Sequence, residues 1–170
     1  MKMTSAIGAA GLALVLAAAP LSNAGAQTKG AITGPELQAV LAAAGLSPTM
    51  TEDAANGFPV AKGMAGQFEF YVRALDCSGR PKACSTLMFF ANFSVRRGLQ
   101  PSDLVVLNKF NEKQVFGRAF FIEAEQKIGV DYVIELDGGV TMDHLARNVS
   151  RWTDVIAAFF EHMRSSKDAS

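Results

Sequence analysis

The chain has 170 residues, with 16 basic against 16 acidic side chains, two histidines and two cysteines. A balance this even excludes a nucleic-acid-binding class, which needs a basic face, and offers nothing to hold the chain on an anionic membrane surface. A structural zinc site at the cysteines would need more Cys or His within reach.

In chain order, the first residues read as a targeting segment. Lys2 precedes an apolar run, Ala6 to Ala19, which Pro20 breaks, and Ala24-Gly25-Ala26 supplies a small-x-small cleavage pattern. The spacing predicts a signal peptide over 1–26, cleaved before Gln27, and a periplasmic or secreted location. The apolar run falls short of the roughly 20 residues that a membrane span needs. Cleavage would leave 144 residues, enough for one domain with a real core. After a polar lead-in, 27–31, we expect a single domain over 32–164 and a frayed tail over 165–170.

Thr33, Pro35 and Glu36 mark a helix start with a capping box, and Leu37, Val40 and Leu41 give it an apolar stripe that Gly45 ends. Residues 46–57 read as a loop. Phe58 to Lys62 reads as a short strand, placed at an edge by Pro59. Gln67 to Leu75 alternates Phe68, Phe70, Val72 and Ala74 against Glu69, Tyr71 and Arg73. Thr86 to Val95 sets Leu87, Phe89, Ala91 and Phe93 against Met88, Phe90 and Asn92. Between these strands lie Cys77 and Cys84; an even pair so close in an exported chain reads as a disulfide, with free or redox-active thiols as the alternative.

Pro101-Ser102-Asp103 starts a second helix, with Ser102 as cap. Arg118 to Ala124 and Val130 to Leu136 then form a hairpin turning at Gln126–Gly129. The last helix, capped by Thr141, carries Leu145, Val149, Trp152, Ile156 and Phe159 at alternating steps of four and three. That stripe should pack across the sheet. The order α-β-β-β-α-β-β-α, with short links between strands, predicts an α+β fold on an antiparallel sheet of about five strands.

The chemistry is sparse. His144 and His162 stand five helical turns apart, about 27 Å, too far to share a metal ion. No nucleophile elbow, phosphate loop or dinucleotide fingerprint is present. Asp131, Glu135 and Asp137 share a strand face, so a carboxylate pair is geometrically possible there, with a solvated strand face as the plainer reading. No catalytic residue, metal or cofactor is expected.

If the last helix covers the Phe70, Phe89 and Tyr132 side, the opposite face presents Tyr71, Met88, Phe90, Phe121 and Val133 among charged neighbours. Such a face suits a homodimer or an extended peptide. Burial of that face by one of the first two helices stays open, because alternation does not say which helix goes where.

Asn108-Lys109-Phe110-Asn111-Glu112, Phe116-Gly117-Arg118-Ala119 and Gly138-Gly139-Val140-Thr141 ahead of a helix with Trp152 resemble the YbjN domain family of bacterial proteins. The Cys77–Cys84 loop before a Phe-rich strand is similar to exported members. The resemblance spans roughly 32–163. It implies a fold like that of type III secretion chaperones, which are non-enzymatic, often dimeric and hold extended protein segments, and it implies a role in sensory regulation. The expected function is a non-catalytic protein-binding or chaperone-like adaptor. The alternatives are an exported hydrolase using Asp131 and Glu135, or a small-ligand binder with a pocket between sheet and helices lined by Phe68, Phe89 and Trp152.

Overall fold

The structure, a computed structural model, describes residues 28–95 and 97–168, so the predicted signal peptide and its cleavage point lie outside the described residues. Two short strands, β1 (Thr28–Lys29) and β2 (Ile32–Thr33), lead into α1 (Gly34–Ala43). The Glu36 carboxylate accepts hydrogen bonds from the Thr33 N–H (2.8 Å) and hydroxyl (2.9 Å) and pairs with Lys29. One side chain therefore starts the helix and ties the strand before it to the domain. The Lys29 hydrogen bond, followed by those from Thr33, pulls the Glu36 pKa from 4.5 down to about 2.

A carboxylate with a depressed folded-state pKa adds stability above its unfolded value and loses it as pH falls through the folded value. Glu36 should thus contribute fully above pH 4.5 and fade towards pH 2. Discounted for solvent screening of a part-exposed group, the contribution is about 1 kcal/mol. Urea unfolding of Glu36→Gln should show that loss at neutral pH, and the two proteins should converge near pH 2.

The main sheet runs β3 (Thr49–Glu52), β4 (Pro59–Ala65), β5 (Phe68–Ser78), β6 (Ala83–Ser94), β8 (Lys127–Glu135), β7 (Arg118–Ile122), with every pair antiparallel and β2 joined to β6. The fold class is α+β. It contains strands that the sequence pattern does not reveal. The largest is β3, inside the stretch read as a loop. It takes the edge, so β4 is an inner strand, and Pro59 is tolerated as its first residue. Gly63 lies within β4, where the sequence reading has the chain turn over 63–66; the Phe70 ring packs on it so closely that a Cβ there would sit 2.7 Å from Cζ.

Helix α2 (Pro101–Lys113) is capped by Gln100 with Asp103 at the third position, not by Ser102. Helix α3 (Met142–Asp168) follows β9 (Val140–Thr141) and continues through 165–168, where a frayed tail is expected from sequence. Thr141 Oγ1 accepts the His144 N–H at 3.1 Å.

All three helices gather on one side of the sheet. α3 lies on β8, α1 packs against β4 and α3, and α2 against β7 and α3. Leu145, Val149, Trp152, Ile156 and Phe159 of α3 are fully buried against Phe70, Leu87, Phe89 and Ile134. The Trp152 indole sits 5.9 Å from both the Phe70 and Phe89 rings. These rings fill the space between sheet and helix around Trp152. A disulfide joins Cys77 to Cys84, directly opposite each other on β5 and β6, with Cα atoms 3.9 Å apart.

Candidate partner-binding face

The other side of the sheet carries no helix among the described residues. One row runs straight across it through register partners Lys62, Tyr71, Phe90, Asp131 and Arg118. Tyr71 and Phe90 stack at 5.6 Å between centroids, and the Arg73 guanidinium lies 5.4 Å over Phe90. The adjoining row brings Arg73, Met88 and Val133 together. Tyr71, Met88 and Phe90 are half-buried, while Val133 is 45% exposed. A contiguous patch of large apolar side chains ringed by charge is the composition of recognition surfaces, not of ordinary wet sheet faces.

The charges of the face are set by near neighbours. Glu69 accepts hydrogen bonds from Lys62 (2.6 Å) and the Tyr71 hydroxyl (2.7 Å). Lys62 and then Tyr71 hold the Glu69 carboxyl below its usual range, and Glu69 in turn raises the pKa of both partners. Asp131 is buried and held by Arg118 at 2.6 and 3.3 Å; that pairing raises the Arg118 pKa. Thr86 Oγ1 lies 2.9 Å from Glu135 and 2.8 Å from Asp76. Asp131 and Glu135 stand four residues apart on an extended strand, about 13 Å, too far to flank one reacting bond.

Phe121, expected on this face, is on the other one. The hairpin turns earlier than the sequence suggests, through a 3-10 segment at Glu123–Glu125 and a left-handed Gln126. Phe121 therefore pairs with Ile128 and packs against the core under the helices. Strand side chains alternate, so this change of register swaps neighbours between faces. Phe120 takes the open side, its ring closing on Gly129, where a Cβ would approach it to 2.5 Å.

Asn111 is a contributor that sequence reasoning missed. Its amide donates to the Ala119 carbonyl (3.0 Å) and accepts the Ala119 N–H (2.7 Å), so α2 plugs the outer edge of β7 much as another strand would. The signal was a helix-end asparagine ahead of a strand, a residue type whose side chain copies a peptide group. His144 is exposed, and His162 contacts the Val106 carbonyl at 2.8 Å. Among the described residues no group of three or more His, Cys, Asp or Glu is placed to hold a metal ion, and no helix is long and apolar enough to cross a membrane.

Three helices backing an antiparallel sheet, with the far side open and aromatic, define a small α+β domain. The chain belongs to the YbjN family, described as "Putative bacterial sensory transduction regulator", whose model matches residues 35–165. Among solved structures it is similar to the crystal structure of YbjN from E. coli, with a TM-score of 0.55 and 17% identity over 79% of this chain and 92% of that one. At that identity the likeness shows the fold alone. No curated protein matches the sequence.

Proposed function

We propose that the chain is a non-catalytic adaptor or chaperone-like protein in bacterial regulation, working in the periplasm or outside the cell and holding a protein partner on its open sheet face. The observation that carries this reading is the Tyr71–Phe90 stack with Met88 and Val133 on a face that no helix among the described residues covers. The β7 edge supports it too: with Asn111 occupying the Ala119 backbone groups, strand addition at that point is hindered and a partner there meets side chains of the face. Asp131 is neutralised by Arg118 and distant from Glu135, which speaks for binding and against a carboxylate hydrolase. Export is supported by the N-terminal pattern of Lys2, the apolar run and Ala24-Gly25-Ala26, and by the Cys77–Cys84 bond, a feature of oxidising compartments.

A photo-reactive phenylalanine analogue at position 90 tests this in living cells. Irradiation should yield a covalent adduct of higher mass. The same analogue at Asp154, an exposed position on α3, should yield none. Adducts from position 154 alone, or from neither site, would count against the open face as the binding surface.

A further inference from the structure

At the end of the sheet, away from the Tyr71–Phe90 row, a cleft of about 740 Å³ opens between β6, β8 and the C-terminal half of α3. Buried Ile128 and Phe159 line it together with half-buried Phe93, Val95, Phe160 and Met163. The polar lining is confined to Ser94, Arg97, Asp103 and Arg164. Asp103 is held by Arg97 at 2.5 and 3.1 Å. Arg164 pairs with Glu161 at 2.6 Å, where both side chains stand mostly in solvent, a pairing that is readily exchanged. A second cleft of about 490 Å³, with Lys127 in its wall, shares Phe93 and Phe160 with the first and leads from it to Tyr71 and Phe90 of the open face.

We propose that this cleft binds the acyl chain of a fatty-acid-type amphiphile, its tail over Phe93, Phe160 and Met163 and its carboxylate at Arg164 and Arg97. The volume is that of a small-molecule site, and Arg164, whose solvent-exposed pairing with Glu161 can be exchanged, supplies the cation for an anionic head, with Arg97, paired to Asp103, in the same lining. The sparse polar lining selects a lipid over a peptide. Each residue of a peptide brings an N–H and a C=O that need partners once desolvated, whereas an acyl chain has one polar end and a tail that asks for none. The first cleft has neither Tyr71 nor Phe90 in its lining, and the inference does not rest on the partner-binding reading.

Calorimetric titration of the purified protein with dodecanoate below its micellar range, and in parallel with dodecanol, tests it. Dodecanoate should bind saturably at one site per chain. Met163→Trp, which fills the cleft from α3, should weaken both ligands by about tenfold with the unfolding transition retained. Should that variant fail to fold, Ser94→Trp, built from an exposed position on another wall, takes its place. Arg164→Gln should weaken dodecanoate by about fivefold and leave dodecanol unchanged, since only the charged head meets the guanidinium. Absence of saturable dodecanoate binding, or binding untouched by the filled cleft, would overturn the assignment; an equal loss for dodecanol in Arg164→Gln would overturn the placement of the head.

Discussion

Trp152→Ala is expected to destabilise the domain by about 3–5 kcal/mol, the usual loss when a buried tryptophan is truncated, and to leave little folded protein. Trp152 is fully buried at the centre of α3 and is the point where helix and sheet meet, its ring between Phe70 and Phe89. Truncation removes the largest apolar side chain of the core and opens a cavity that fixed strands on one side cannot close. Its Nε1 is buried without a hydrogen-bond partner among the described residues, so Trp152→Phe loses volume but no hydrogen bond and should cost only about 1–2 kcal/mol. The chain has a single tryptophan, so unfolding of these variants is best followed by circular dichroism. An unchanged melting transition in Trp152→Ala would remove α3 from the core of this account.

How much of this could be read in advance follows from which forces are local. The α3 stripe and the Thr33–Glu36 start were legible because helical periodicity and capping depend on residues within a turn or two of each other. The alternation of β5 and β6 was equally plain, since long strands with one covered face must alternate. The strand β3 was not, because Thr49–Glu52 is mostly exposed and its pairing with β4 rests on backbone groups. The β7–β8 register failed for a related reason. A three-residue 3-10 turn closed by Gln126 at φ 51° has no glycine to announce it. Asn111 locks a strand eight residues away, and its place at a helix end ahead of a strand hints at such a contact without fixing its partner. The covered side of the sheet was likewise undecidable, because the Tyr71–Phe90 side is itself rich in aromatic residues.

The open face is therefore the part of the account that rests most on three-dimensional structure, and Tyr71→Ser combined with Phe90→Ser is the second substitution of large expected effect. Both rings are half-buried and stack on each other above the sheet, so their loss removes the centre of the patch. Core packing is left alone, since Phe70, Val72, Phe89 and Ala91 point the other way and are buried under the helices. Truncating central aromatic anchors of an interface typically costs at least about 2 kcal/mol each, so the pair should weaken association by well over about a hundredfold. Phe121→Ser provides the contrast: its ring packs against the core on the helix side, so it should lower stability without touching the face. The deciding measurement is capture of bound protein from periplasmic extract by the wild-type chain and by the Tyr71/Phe90 double variant, with melting curves recorded on the same samples. The account predicts that a partner retained by the wild type is absent from the double variant while its melting transition stays within a few degrees of wild type. Undiminished capture by a folded double variant would contradict it.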